Sequence, residues 1–127
     1  MLNVLIVDDD RQLATMLKGA ITRWGHRATT AGSGMEALAI LAKKKHPLIL
    51  LDIFLPDTEG HQLIPAIKQL DSGTHIVTMT GVNSRELEAR VRREGIAYYM
   101  IKPIPMNELK VIVQHLAKKH PDQGDRA

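Results

Sequence analysis

Four short, largely apolar runs, each ending at a polar residue, constrain this chain more than any other feature of its sequence. The runs cover 4–7, 48–51, 76–79 and 98–101, and the residues that follow them are Asp8 to Asp10, Asp52, Thr80 and Lys102. Helix-like segments separate the runs, a pattern typical of an α/β fold with a parallel sheet. Because ligands bind where parallel strands end, we expect carboxylates, a hydroxyl and an ammonium to converge at one site. That combination suits phosphoryl chemistry on a carboxylate with a divalent metal.

The composition is that of a single globular domain. The 127 residues are 44% hydrophobic and 24% charged, which is ordinary for a soluble protein with one sizeable core. The absence of cysteine excludes disulfides and thiolate metal sites, and the six histidines lack close metal-ligand spacing, so we expect them at the surface. No apolar run approaches the roughly 20 residues of a membrane helix. The first residues do not resemble a signal peptide, so we expect a cytoplasmic protein.

The net charge of +3 does not indicate a nucleic-acid or membrane partner. The basic residues are scattered along the chain, and aromatic residues make up only 3% of it, too few for base-stacking platforms. We interpret the basic residues as solvated helix faces. The same charge is available to recruit an acidic partner surface.

Hydrophobic periodicity predicts five helices and a weak additional strand. The helices are predicted over about 11–24, from Ser33 with Glu36 at a capping-box position, around Pro65, from near Asn83 with Glu86 at a capping-box position, and over about 106–118. The additional strand, 27–30, is polar and suits a sheet edge. The sequence therefore predicts a doubly wound, five-stranded parallel sheet of order 2-1-3-4-5 flanked by five helices, with Asp8 and Asp9 beside Asp52.

The acidic residues have a structural and a chemical interpretation. Asp8, Asp9 or Asp10 alone could cap a helix, and Asp52 could form a turn before Pro56. Carboxylates gathered from two neighbouring strands repel each other unless a cation holds them, and hard oxygen ligands suit Mg²⁺. A carboxylate beside such a metal can also attack a phosphoryl group.

Thr80 and Lys102 are individually weaker signals. Threonine is common at strand ends, and most lysines are solvated. Next to a carboxylate cluster, however, the Thr80 hydroxyl and the Lys102 ammonium become partners for phosphoryl oxygens. The order of all these residues along four strand ends carries the prediction.

The set resembles the receiver domain of two-component response regulators, which are CheY-like proteins with a flavodoxin-like fold. The matching stretches are 5–10, 51–56 with Gly60, 78–81 and 99–103, and the resemblance extends over about residues 2–119. It implies that the chain is a receiver domain over 1–119 with a polar tail over 120–127.

The resemblance also implies a role for each matched residue. Asp52 would be the phosphoacceptor, Asp9 and Asp52 would ligate Mg²⁺ directly, Asp8 would hold it through water, and the Phe54 carbonyl would be a further ligand. Thr80 and Lys102 would bind phosphoryl oxygens, Tyr99 would be the aromatic switch that follows Thr80, and the Lys102–Pro103 bond would be cis.

Phe54 and Val82 depart from the commonest pattern of the family. They lie two residues after Asp52 and two after Thr80, where the resemblance implies that side chains flank the path of the hydrolytic water. Both are apolar, so we expect slow self-dephosphorylation.

The resemblance implies a signalling protein whose only chemistry is its own phosphorylation and dephosphorylation. Its partners would be a sensor histidine kinase or phosphotransfer protein and a downstream effector or effector domain. A homodimer through the fourth helix, fifth strand and fifth helix is a further expectation. An aspartyl-phosphate phosphatase of the haloacid-dehalogenase type is disfavoured because Phe54 stands where that class has a second Asp, and a pseudo-receiver is disfavoured by the complete residue set. Both a stand-alone receiver and a piece of a longer regulator remain open.

Overall fold

The computed structural model describes residues 1–119, which form five parallel strands alternating with five helices. The elements are β1 (Asn3–Val7), α1 (Arg11–Arg23), β2 (Arg27–Ala31), α2 (Gly34–Lys43), β3 (Leu48–Asp52), α3 (Gly60–Leu70), β4 (His75–Thr80), α4 (Arg85–Arg92), β5 (Tyr98–Ile101) and α5 (Met106–Lys119). The predicted tail over 120–127 lies outside the described residues. The alternation confirms the α/β class expected from the apolar runs.

The sheet has the order β2-β1-β3-β4-β5, as predicted. β1 and β3 are buried on both sides, which explains why they consist almost entirely of branched apolar residues. β2 is polar and half-exposed because it occupies an edge. The order places the C-terminal ends of β1 and β3 next to each other, at the point where the chain switches from adding strands on one side of β1 to adding them on the other.

Two apolar layers cover the sheet. One joins α1 and α5 to one face and includes Leu17, Leu50 and Val113. The other joins α2 and α3 to the opposite face and includes Ile49, Leu63 and Ile67. The strands are thereby fixed on both sides, so the residues at their C-terminal ends project from a rigid base.

Local capping explains the helix starts and corrects two details of the prediction. Ser33 caps α2 as expected, but the Glu36 carboxylate accepts a hydrogen bond from the Gly32 amide instead of closing a box with the Ser33 amide. The fourth helix begins one residue later than expected, because the Ser84 hydroxyl accepts from the Leu87 amide. Pro65 lies inside α3.

The expectation that the histidines lie at the surface is wrong for two of them. His26 accepts a hydrogen bond from the Leu2 amide through Nδ1, at 3.0 Å, and is buried. His46 is also buried, with Nδ1 3.0 Å from the Lys44 carbonyl. Each ring satisfies a backbone group at the end of the sheet remote from Asp52, a tertiary role that residue spacing does not reveal. Within residues 1–119, no helix combines the length and the apolar character needed to cross a membrane.

Candidate phosphoryl and metal site

Three carboxylates meet where β1 and β3 end, and we call Asp8, Asp9 and Asp52 the acidic cluster. One oxygen from each lies within 4.8 Å of the others. Asp8 and Asp52 are buried, whereas Asp9 is exposed. Asp10, the next residue, accepts from the Leu13 amide at 3.1 Å and caps α1, the structural role that the sequence left open for it.

Lys102 brings a positive charge to the cluster from the end of β5. Its Nζ donates to Asp8 at 2.9 Å and to Asp52 at 3.3 Å. Burial alone would lower the pKa of Lys102, but its hydrogen bond with Asp8 and the charges of Asp52 and Asp8 outweigh burial and raise it. The ammonium is therefore a fixed cation at neutral pH. The Lys102–Pro103 bond is cis, as expected.

Asp52 has the most perturbed environment of the acidic cluster. Burial, followed by the charge of Asp8, raises the pKa of Asp52 to about 6, although Lys102 and a hydrogen bond from the Phe54 amide act in the opposite direction. That amide lies 3.2 Å from Oδ1 of Asp52. The surplus negative charge of the cluster means that a cation added beside Asp8 and Asp52 would be strongly favoured.

The donors of the acidic cluster fit a magnesium ion. They are hard oxygens: Asp52 ends β3, and Asp8 and Asp9 follow the neighbouring strand β1. Mg²⁺ prefers such ligands and usually keeps several waters. An ion bound there would also have open access, because Asp9 is exposed to solvent.

Thr80 ends β4 one strand away from Asp52. Its side chain is fully buried, and its Oγ1 accepts from the Val82 amide at 3.0 Å. The hydroxyl proton is thus available for another acceptor. Phe54 and Val82 flank the same edge and are 42% and 46% exposed, so both present apolar surface to the solvent that reaches the acidic cluster.

Tyr99 lies apart from the acidic cluster, on the face of the sheet that carries the α2 and α3 layer. Its ring packs against that layer, and its hydroxyl is buried without a hydrogen-bond partner within residues 1–119. The guanidinium of Arg92 in α4 lies 5.8 Å from the ring centroid, and Arg92 pairs with Glu88 at 2.7 Å. Burial first, and then the charge of Glu88, raises the pKa of Tyr99.

The structure thus brings together Asp8, Asp9, Asp52 and Lys102, whereas Tyr99 packs in a second environment, against the α2 and α3 layer and below Arg92. Residue spacing does not indicate that Arg92 lies beside Tyr99 or that Asp57 contacts α2. Both contacts join separate elements, and only the position of Asp57 after Pro56, typical of a turn, was visible in the sequence.

Comparison with known proteins agrees with this geometry. The family model described as response regulator receiver domain matches residues 4–114. The DNA-binding transcriptional regulator NtrC of Azospirillum brasilense is 32% identical over 87% of the chain, and the matched part is 23% of the length of NtrC.

Solved structures show the same fold. A two-component response regulator from Clostridium difficile superposes with a TM-score of 0.88 at 28% identity, over 93% of this chain and 97% of that chain. A CheY-like receiver domain protein from Methanospirillum hungatei superposes with a TM-score of 0.86 at 29% identity, over 93% and 95%.

Proposed function

This chain belongs to the response regulator receiver domain family, the signalling domain of two-component systems, and on that premise we propose that Asp52 is its phosphoacceptor. The observation that carries the proposal is the buried Asp52 carboxylate, which shares the Lys102 ammonium with Asp8. Family membership supports phosphoryl chemistry in general, and the contacts of Asp52 support this residue as its centre.

The reaction is a phosphoryl transfer to a carboxylate. An oxygen of Asp52 forms a bond to phosphorus as the bond from phosphorus to a phosphohistidine nitrogen of a sensor kinase breaks. The electron pair of that bond returns to the imidazole, which then takes a proton from solvent. The product is an aspartyl phosphate. Attack of water on phosphorus then breaks the bond to the Asp52 oxygen, which releases inorganic phosphate and restores the Asp52 carboxylate.

Mg²⁺ held by Asp8, Asp9 and Asp52, with the Phe54 carbonyl as a further ligand, would offset the repulsion between a carboxylate and an incoming phosphoryl group. Lys102 contributes a second positive charge, already hydrogen-bonded to Asp52. Because it donates to both Asp8 and Asp52, it can turn towards a phosphoryl oxygen without leaving the acidic cluster.

Thr80 and Tyr99 would transmit the change. The Thr80 hydroxyl, whose Oγ1 accepts from the Val82 amide, would donate its own proton to a phosphoryl oxygen. Tyr99 lies on the neighbouring strand in register with Thr78. A phosphoryl group that contacts Thr80 and Lys102 in only one of two conformations shifts the population towards that conformation.

The partners we propose are a histidine kinase or phosphotransfer protein and an effector or effector domain. The face formed by α4, β5 and α5 would carry the output, including a homodimer, and its exposed apolar residues Tyr98 and Val111 support such a contact. The chain matches only 23% of the length of NtrC, so the effector can belong to the same polypeptide or to another one. We assign the receiver to residues 1–119 and its location to the cytoplasm.

Phe54 and Val82 would set the lifetime of the aspartyl phosphate. Neither side chain can orient a water by hydrogen bonding, and both are exposed beside the site. Phe54→Asn introduces an amide there and should shorten the lifetime, measured as loss of radiolabelled phosphate after the donor is removed. Leu55→Met, a matched change at the adjacent residue, should leave it unaltered. An unchanged or longer lifetime in Phe54→Asn would contradict this assignment.

Labelling with acetyl phosphate tests the phosphoacceptor. The wild-type protein should be labelled in the presence of Mg²⁺ and should remain unlabelled when EDTA is present from the start. Asp52→Asn should abolish labelling, whereas Asp10→Asn, which alters only the cap of α1, should retain it. Labelling of Asp52→Asn at the wild-type level would move the phosphoacceptor to another residue.

A further inference from the structure

The loop from Ile53 to Glu59, between β3 and α3, is fastened to a neighbouring helix by one side chain. Asp57 accepts a hydrogen bond from the Gly34 amide through Oδ1 and another from the Met35 amide through Oδ2, both at 2.9 Å. These two amides belong to the first turn of α2. Their hydrogen bonds, with Gly34 first and Met35 second, hold the pKa of Asp57 below its usual range.

The same loop is closed at its base and braced along its length. The Gly60 amide donates to the Ile53 carbonyl, and Leu55 donates to the Thr58 carbonyl at 3.1 Å. Phe54 pairs with Glu59 in an isolated antiparallel bridge. A Cβ on Gly60 would lie 2.9 Å from the Ile53 Cα, a backbone atom that cannot yield, so glycine is required for this closure. These contacts hold the two ends of the loop together.

The fastened end of the loop and its site end are directly connected. At the site end the Phe54 amide donates to Oδ1 of Asp52 at 3.2 Å. At the other end a Cβ on Gly34 would lie 2.5 Å from Cγ2 of Thr58, which shows how closely the loop approaches α2. A braced loop held at α2 fixes where the Phe54 peptide stands relative to the acidic cluster.

We infer that Asp57 is a positioning residue: by holding the loop against α2, it sets the Phe54 peptide in place for the metal and phosphoryl site. This inference rests on the proposed function. Two charge-assisted hydrogen bonds to one carboxylate fix both the separation between the loop and α2 and the orientation of the loop relative to that helix. Asp57 itself touches neither Asp52 nor an incoming phosphoryl group.

Asp57→Asn and Ser33→Ala separate this role from helix stability. Asp57→Asn keeps the size of the side chain but replaces one acceptor oxygen with an amide group, which cannot accept from the second backbone amide. Ser33→Ala removes the other cap of the same helix, the bond from the Glu36 amide to Oγ at 3.1 Å, without touching the loop. Both variants weaken the start of α2, but only Asp57→Asn removes a hydrogen bond between the loop and α2.

Titration of the ¹⁵N-labelled full chain with MgCl₂, followed by NMR, supplies the dissociation constant for Mg²⁺, and hydrogen exchange of the Gly34 and Met35 amides reports the bonds themselves. We expect Asp57→Asn to raise the dissociation constant about tenfold, the low end for residues that orient metal ligands. Exchange at Gly34 and Met35 should be faster in the same variant, and Ser33→Ala should bind Mg²⁺ like the wild type.

Two outcomes overturn the positioning role. One is an unchanged Mg²⁺ affinity in Asp57→Asn, and the other is an equal loss of affinity in both variants, which would assign the effect to the stability of α2. If the wild-type chain itself does not bind Mg²⁺, the proposed function fails first and this inference fails with it.

Discussion

The centre of the sheet and its α4–β5 edge are built in opposite ways. All five residues of β1 and of β3 are buried, whereas in β5 only Met100 is. The eight-residue α4 buries a single side chain, Val91. The acidic cluster stands on the well-packed centre, and Tyr99 stands at the lightly packed edge. Dense packing therefore holds the acidic cluster in place, whereas the region around Tyr99 can rearrange at a small cost in free energy.

Truncating a leucine in each region measures this difference directly. Leu50→Ala, in β3, should lower the free energy of unfolding by about 2–5 kcal/mol, because the side chain is fully buried and leaves a cavity. Leu87→Ala, in α4, removes a half-buried side chain and should cost about 1 kcal/mol. Urea unfolding of both variants provides the comparison, and equal losses would mean that the edge is as tightly packed as the centre.

Repulsion among the carboxylates of the acidic cluster destabilises the centre of the sheet. Lys102→Met should lower the free energy of unfolding without Mg²⁺ by about 1–3 kcal/mol, since the buried Asp8 and Asp52 carboxylates lose their ammonium partner. Added Mg²⁺ should stabilise this variant more than the wild type. Thermal unfolding with and without MgCl₂ is the measurement, and Lys118→Met, at an exposed lysine of α5, is the control. Equal Mg²⁺ effects in both variants would show that Lys102 does not offset the cluster charge.

At the edge, Arg92 should contribute less to the free energy of unfolding than Lys102 does at the centre, and its main effect should be on the environment of the Tyr99 ring. Arg92→Ala removes the guanidinium above the ring and its pair with Glu88, which should cost about 0.5–1 kcal/mol. The NMR signals of the Tyr99 ring should shift, whereas Arg90→Ala, on the same helix, should leave them in place. If both variants shift the ring signals equally, α4 as a whole rather than Arg92 determines its environment.

The sequence predicted those features of the sheet centre that depend on the position of a residue along its own strand. Each run is followed by a candidate site residue, and the polarity of β2 marked the edge of the sheet. The strand order and the meeting of Asp8, Asp9, Asp52 and Lys102 therefore followed from topology. The contacts of Arg92 with Tyr99 and of Asp57 with α2 depend on how separate elements pack, for which residue spacing has no signal. For the same reason the burial of His26 was missed.

His26 gives the smallest expected effect, a dependence of stability on pH at the remote end of the centre. Burial lowers the pKa of His26 from 6.5, so as pH falls through 6.5 the unfolded chain binds a proton that the folded chain does not, and the folded state loses stability. His26→Asn retains an acceptor for the Leu2 amide but does not titrate.

Urea unfolding across that pH range should therefore show wild-type stability falling relative to His26→Asn. The comparison between the two proteins cancels the contribution of Asp52, whose raised pKa acts with the opposite sign in both. A constant difference between them at every pH would mean that His26 is protonated equally in the folded and unfolded states.

The most direct test of the account follows hydrogen exchange with and without Mg²⁺ and beryllofluoride, an analogue of the phosphoryl group on Asp52. Exchange over 85–101, which spans α4 and β5, should change, while exchange within β1 and β3 should stay as it is. In Asp52→Asn the analogue should not change exchange over 85–101. A response spread evenly over the sheet, or the same response in Asp52→Asn, would contradict the division between a rigid site and a responsive edge.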